Sequence, residues 1–257
     1  MVIFINKDNM NRQQKIIDVN GTDVEYRLDS PAWNSNKWIL YIPGWSGWDF
    51  ERYPQLVKGL IENNFHFMQL KSWITKDEIL QMNIKMIHDQ IDALLHIFQD
   101  QGVSELGVLG KSAGAATAIL LKIEELNIKT MSLLAPPSVV RENFNRDNAL
   151  ETIFNDMRLK DSDTWEVILN PLTWKPKAIE VPIGEEYLRN IKIPIQIIRG
   201  EDDNVVSLEQ STQVSSLLTH PNSKFVPIAW VWHSYGPDES GTPKVFDHVV
   251  EHFKVNI

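Results

Sequence analysis

The chain has 257 residues, with 25 basic and 34 acidic side chains for a net charge of −9, and 43% hydrophobic against 23% charged residues. That balance is ordinary globular usage and excludes a disordered, collagen-like or coiled-coil chain; with no basic excess or basic block, it also argues against a protein that grips nucleic-acid phosphates. No cysteine is present, which removes disulfides, thiolate nucleophiles, cysteine-based zinc sites and iron–sulfur clusters.

The N-terminal run Met1-Val2-Ile3-Phe4-Ile5-Asn6-Lys7-Asp8 holds too few apolar residues for a signal peptide. No stretch approaches the roughly 20 apolar residues that cross a bilayer, so a cytoplasmic protein without a membrane span is expected. β-rich runs at Val2 to Ile5 and Ile16 to Leu28, the second interrupted by Asn20-Gly21, predict antiparallel strands joined by a tight turn. From Trp38 onward short apolar runs alternate with longer amphipathic ones, the pattern of strand–helix–strand units on a parallel sheet. Strands are predicted at Trp38 to Ile42, Phe65 to Leu70, Glu105 to Leu109, Thr130 to Ala135, Pro194 to Arg199 and Lys224 to Ala229. A (β/α)₈ barrel needs about eight such strands. An open, doubly wound, mostly parallel α/β sheet with antiparallel N-terminal strands fits better.

Helices are predicted near 51–63, 76–100, 113–126, 207–219 and 243–254. In the second, Ile79, Met82, Ile84, Met86, Ile87, Ile91, Leu94, Leu95 and Phe98 recur at mixed three- and four-residue steps and give a broad apolar face. The stretch 136–189 breaks the alternation and carries Pro171, Pro176 and Pro182 with Trp165 and Trp174. A structureless loop of that length is improbable in a compact domain, so a small, partly helical cap is expected there, inserted into a core made of 1–135 and 190–257.

The strongest local feature is Gly110-Lys111-Ser112-Ala113-Gly114, between the apolar run Leu106-Gly107-Val108-Leu109 and the helix-favouring Ala115-Ala116-Thr117-Ala118-Ile119. A serine between small residues at a strand-to-helix turn can take the tight backbone that presents its hydroxyl at the end of a sheet. The alternative is a serine that only caps the helix. Gly110-Lys111-Ser112 also ends like a phosphate-binding loop, but the first glycine of that motif would fall on Glu105, and the residues between read as a strand. The dinucleotide fingerprint G-x-G-x-x-G is absent from this turn.

A neutral serine is a poor nucleophile and needs a histidine to take its proton and a carboxylate to orient that histidine. Ile197-Ile198-Arg199-Gly200-Glu201-Asp202-Asp203-Asn204-Val205-Val206 places three acids after a strand; these acids could instead cap the helix beginning near Ser207. Trp230-Val231-Trp232-His233-Ser234-Tyr235-Gly236 follows the next strand, with His233 lying 30 residues beyond Asp203, the span of one helix and one strand. His248-Val249-Val250-Glu251-His252 matches the zinc pattern H-x-x-E-H, but with little chain left for a third ligand it is read as a solvated helix face, and no metal or organic cofactor is implied.

From about Trp38 onward the sequence resembles the α/β-hydrolase fold family, specifically its serine esterases, lipases and thioesterases. The resemblance rests on the order Ser112, acid, His233 and on Gly200, Asp203 and Val206 matching the family's G-x-x-D-x-x-V loop. It implies Asp203 as the orienting acid, with Asp202 and then Glu201 behind it. It further implies an oxyanion hole from the backbone N–H groups of Ala113 and of Trp45, in the loop Pro43-Gly44-Trp45-Ser46-Gly47-Trp48. Pro43 stands where the family usually has a histidine, which bears on loop conformation and not on the triad. Gly44, Trp48 and Trp232 are the expected substrate-binding residues, the aromatics among the chain's nine tryptophans being suited to an apolar pocket. The implied substrate is a small acyl ester or thioester. The same acyl-enzyme chemistry would serve an acyltransferase or an editing thioesterase acting on a carrier- or CoA-bound acyl group, and the same scaffold could carry a non-catalytic ligand-binding protein. The serine at the elbow departs from the dehalogenase and epoxide hydrolase branches, which place an aspartate there.

Overall fold

A computed structural model describes residues 2–5, 10–19, 22–44, 53–71, 94, 98–99, 101–119, 121, 123–137, 185–203, 206–233, 235–236 and 240–257. Strands β1 (Val2–Ile5), β2 (Asn11–Val19) and β3 (Thr22–Ser30) pair antiparallel. The register Val19↔Thr22 leaves only Asn20 and Gly21 to connect β2 to β3, and these two lie outside the described residues. β3 then runs antiparallel to β5 (His66–Leu70), with Leu28 opposite Met68.

The remaining strands are β4 (Lys37–Ile42), β6 (Glu105–Lys111), β7 (Ile128–Leu134), β8 (Ile195–Gly200) and β9 (Lys224–Ile228). Together with β5 they form parallel pairs. Among the described residues the sheet has nine strands in the order β1-β2-β3-β5-β4-β6-β7-β8-β9. This is the doubly wound, mostly parallel sheet with an antiparallel N-terminal edge that the apolar runs predict. After β4 the chain adds β5 on one side and then crosses over to place β6 on the other. The winding therefore reverses between β4 and β6, and the crevice beyond their carboxyl ends is where open α/β sheets bind ligands.

The central strands read as near-continuous apolar runs because both sheet faces are covered. One face packs Leu106 and Val108 of β6 against Ala115, Ala118 and Ile119 of α2 (Ala113–Ile119), and Ile195 and Ile197 of β8 against Val214 and Leu217 of α4 (Leu208–Leu217). Leu94 and Phe98 join the same cluster; the rest of the predicted 76–100 helix, apart from Gln99, lies outside the described residues. The other face packs Leu109 and Ile198 under α1 (Pro54–Glu62) and α5 (Thr242–Asn256), which contribute Leu56, Val57, Leu60, Val245, Phe246, Val249 and Phe253. Burial of each such large side chain contributes roughly 1.5–3 kcal/mol relative to exposure.

Three sequence expectations are modified. The helix expected over 113–126 stops at Ile119, and the chain turns through 123–127 with Asn127 left-handed (φ 51°) to enter β7. Residues 185–189, assigned from sequence to the insertion, form the short helix α3 (Glu185–Asn190), whose Leu188 is buried in the core and whose Tyr187 hydroxyl donates to the Ile119 carbonyl at 2.8 Å. That bond satisfies a carbonyl left open at the end of α2. Residues 138–184, the bulk of the expected cap, lie outside the described residues.

The third correction concerns α5. His252, expected on a solvated face, is 2% exposed. Its Nε2 lies 2.7 Å from the Thr130 hydroxyl, which itself donates to the Pro194 carbonyl at 2.8 Å. With that hydroxyl hydrogen committed, Nε2–H is the donor to Thr130. Periodicity places His248 and His252 one turn apart, but His252 turns into the core. No helix among the described residues is long and apolar enough to cross a membrane.

Candidate active site

Ser112 sits at the junction of β6 and α2 with φ 52°, a left-handed conformation that is uncommon for a residue other than glycine. The surroundings over-determine it. Its N–H donates to the Leu134 carbonyl at 2.8 Å, while its own carbonyl accepts from Ala115 and Ala116 at 2.9 and 3.2 Å and starts the helix. The turn passes so close to the end of β4 that a Cβ on Gly114 would stand 2.1 Å from the Ile42 carbonyl oxygen. On the other side of the crevice, a Cβ on Gly44 would meet both the Lys111 carbonyl and the Ser112 Cβ at 3.2 Å. Close backbone approach is thus the physical reason for small residues around this serine.

His233 arrives on the loop after β9. Its Nε2 is 3.0 Å from Ser112 Oγ and its Nδ1 is 2.9 Å from Asp203 Oδ2. Since an ionised carboxylate only accepts, Nδ1 carries the hydrogen and donates to Asp203, leaving Nε2 to accept from the serine hydroxyl. All three residues are buried, with relative exposures of 9% for Ser112, 8% for His233 and 6% for Asp203. Burial excludes competing water and strengthens each contact.

Of the three acids after β8, Glu201 and Asp202 are exposed and Asp203 alone faces His233. Its second oxygen, Oδ1, accepts from the Val206 N–H at 2.9 Å. The alternative role for this acid, capping the next helix, is taken by Ser207, which forms a reciprocal capping box with Gln210.

The histidine loop is held from several sides. Val231 is fully buried and its carbonyl accepts from the Asp202 N–H at 3.2 Å. Tyr235 is fully buried and its hydroxyl donates to the Ile198 carbonyl at 3.3 Å. Burial first, then the Asp203 carboxylate and Tyr53, push the Tyr235 phenol well above its ordinary range, so it stays a neutral donor. Trp230 (φ 62°) and Tyr235 (φ 53°) are both left-handed, so the backbone that presents His233 is bracketed by two strained residues.

Three side chains at this site escape the sequence motifs. Lys111, the variable residue of the elbow, is buried, donates to the Tyr53 hydroxyl at 3.2 Å and lies over the rings of Tyr53 and Tyr235. Tyr235 is the second. Arg199 is the third; a charged residue following the apolar pair Ile197-Ile198 at the end of a strand is the sequence signal that marks it. Its Nη1 donates to the carbonyls of Gly200 (2.7 Å) and Glu201 (3.4 Å), and its Nη2 to those of Asp203 (3.0 Å) and Val206 (3.2 Å).

Ala113 is the first residue of α2, a position whose N–H has no acceptor within its own helix. Trp45 and Trp48 lie outside the described residues. Trp232, next to His233, is 52% exposed, and Trp230 is 72% exposed. Of the other described histidines, His66 has both ring nitrogens engaged, by the Ser30 hydroxyl and the Ser35 carbonyl at 3.0 Å each. Among the described residues no group of three or more His, Asp or Glu side chains is arranged to hold a metal.

No family model and no curated protein matches the sequence. Solved structures do match over nearly the whole chain. A meta-cleavage product hydrolase from Pseudomonas fluorescens superposes with TM-score 0.70 at 14% identity, covering 94% of this chain and 97% of that one. Est1E from Butyrivibrio proteoclasticus gives TM-score 0.67 at 20% identity, with 94% and 96% covered. A cold-adapted esterase from an Arctic intertidal metagenomic library gives 0.65 at 14% identity, with 100% and 99% covered. The chain has the α/β-hydrolase fold.

Proposed function

We propose that this protein is a serine hydrolase that cleaves a carboxylic ester or thioester through an acyl-enzyme. The observation that carries the reading is the unbroken line from Ser112 Oγ through the His233 imidazole to Asp203, built on a left-handed serine at the switch point of the sheet. An esterase and a hydrolase among the structural neighbours support the same class.

In this reading Ser112 Oγ attacks the acyl carbonyl as His233 Nε2 takes its proton, and Asp203 holds the imidazole in the Nδ1–H tautomer and stabilises the imidazolium. The backbone N–H groups of Ala113 and Trp45 receive the oxyanion. The imidazolium then protonates the departing alcohol or thiol, and His233 next activates a water that releases the acyl group and restores Ser112. Gly44 lets the substrate carbonyl lie close to the backbone. Trp48 and Trp232 offer apolar surface to the acyl or leaving group.

The test is intact-mass measurement after exposure to a fluorophosphonate probe, with Ser112→Ala in parallel. A single adduct on the wild-type chain, absent from the variant, is expected. A folded wild-type chain that takes no adduct would overturn the reading.

A further inference from the structure

The buried guanidinium of Arg199 has no place in the serine–histidine–acid chemistry, yet it lies beneath the loop that supplies the acid. Arg199 is 4% exposed. Transfer of a charged side chain out of water is costly unless its donors are satisfied, and an aliphatic residue would fill the space without that cost. Among the described residues its Nε has no hydrogen-bond partner, and the four hydrogen bonds of its two terminal nitrogens all go to main-chain carbonyls of a single short segment, those of Gly200, Glu201, Asp203 and Val206. Only a planar fork with several fixed donors can hold carbonyls that diverge in this way; the compact ammonium of a lysine cannot span them.

Two of the four carbonyls matter most. One belongs to Asp203, whose Oδ2 accepts from His233. The other belongs to Val206, whose N–H donates to Asp203 Oδ1. One NH2 group therefore bridges the residue that bears the carboxylate and the residue that aims it. With Oδ1 held by Val206 and Oδ2 by His233, the carboxylate is oriented at both oxygens as long as these two backbone positions stay in register. We propose that Arg199 is a positioning residue for the reaction, clamping Asp203 and Val206 so that the carboxylate meets His233 Nδ1 in line.

The inference rests on the serine-hydrolase reading, and its test separates the two. Arg199→Lys, Asp203→Asn and the double variant are made in the full chain. Folding is checked by circular dichroism and thermal melting, and Ser112 is followed by its second-order rate of fluorophosphonate labelling and by hydrolysis of p-nitrophenyl acetate and butyrate. Arg199→Lys is expected to lower kcat and the labelling rate roughly 10- to 100-fold, with KM within about twofold, because a small misalignment of a catalytic group has effects of this order. In the Asp203→Asn background the same substitution is expected to change either rate less than about threefold, since the two residues act through one contact. If Arg199→Lys does not accumulate folded, Arg199→Gln, which keeps an amide donor in the same space, takes its place in the cycle. Wild-type rates in the Arg199 variant, or an equal loss in both backgrounds, would overturn the positioning role while leaving the hydrolase reading intact. A wild-type Ser112 that is not labelled would overturn both.

Discussion

Gly200 and Val231 are in such close contact that a Cβ on the glycine would stand 2.0 Å from the Val231 carbonyl oxygen. Gly200 is the last residue of β8 and opens the acid loop, while Val231 lies two residues before His233. This contact, with the Asp202 N–H donating to the same carbonyl, sets the acid loop and the histidine loop at one fixed separation.

Gly200→Ala is therefore expected to force the two loops apart. Overpacking against backbone typically costs about 1–3 kcal/mol, and the displaced Asp203–His233 pair should lower kcat by about 10²-fold. Thermal melting and ester turnover on the same preparation measure the two effects. A variant with wild-type turnover would show that the spacing of these loops does not govern the chemistry.

Removal of either end of the Ser112–His233 contact should be severe. Ser112→Ala or His233→Ala is expected to reduce kcat by about 10⁴-fold or more, and the double variant should be little worse than either alone, because such residues act as a unit. Steady-state turnover of a p-nitrophenyl ester gives the ratio, and near-normal rates in either single variant would remove the assignment.

The acids are ranked by their burial and direction. Asp203→Asn leaves the geometry nearly unchanged but takes away the acceptor that fixes the Nδ1–H tautomer, so kcat should fall by up to about 10⁴-fold. Asp202→Asn and Glu201→Gln alter exposed side chains and should stay within about twofold, in line with surface substitutions away from such features. The reverse ranking in parallel assays would reassign the acid.

His252 gives a pH dependence of stability with a definite sign. Burial first, then Lys224, lower its pKa from 6.5 to about 4. The unfolded chain takes up this proton below about pH 6.5 while the folded chain resists it until about pH 4, so the unfolded state binds more protons across that window and stability decreases there as the pH is lowered. The contribution, present above pH 6.5 and lost on approach to pH 4, is on the order of 3 kcal/mol at 1.36 kcal/mol per pH unit. Urea unfolding at pH 7, 5.5 and 4.5 should show a steeper loss in the wild-type chain than in His252→Gln. Parallel curves would mean that another group carries the acid sensitivity.

The sequence by itself determined the features written in short, contiguous stretches. The strand runs from Trp38 onward, the serine between glycines and the acid and histidine segments after successive strands are all legible there. Strand burial on two faces needs apolar runs, and a left-handed serine needs small neighbours, so those constraints leave a local mark. The Asn20-Gly21 break between β2 and β3 is legible for the same reason.

The tertiary structure alone decided matters of direction. Glu201, Asp202 and Asp203 are adjacent and chemically alike, and which of them turns inward depends on Arg199, Val206 and Val231 rather than on their own identity. Helical periodicity puts His248 and His252 on one stripe, yet Thr130, more than 100 residues away, draws His252 into the core. Arg199 reads in the sequence as a charge at the end of a strand, and only the folded loop converts it into a clamp on four carbonyls. A hydrogen bond between distant segments constrains the orientation of two side chains, not the pattern of residues around either one, and so leaves no periodic trace in the chain.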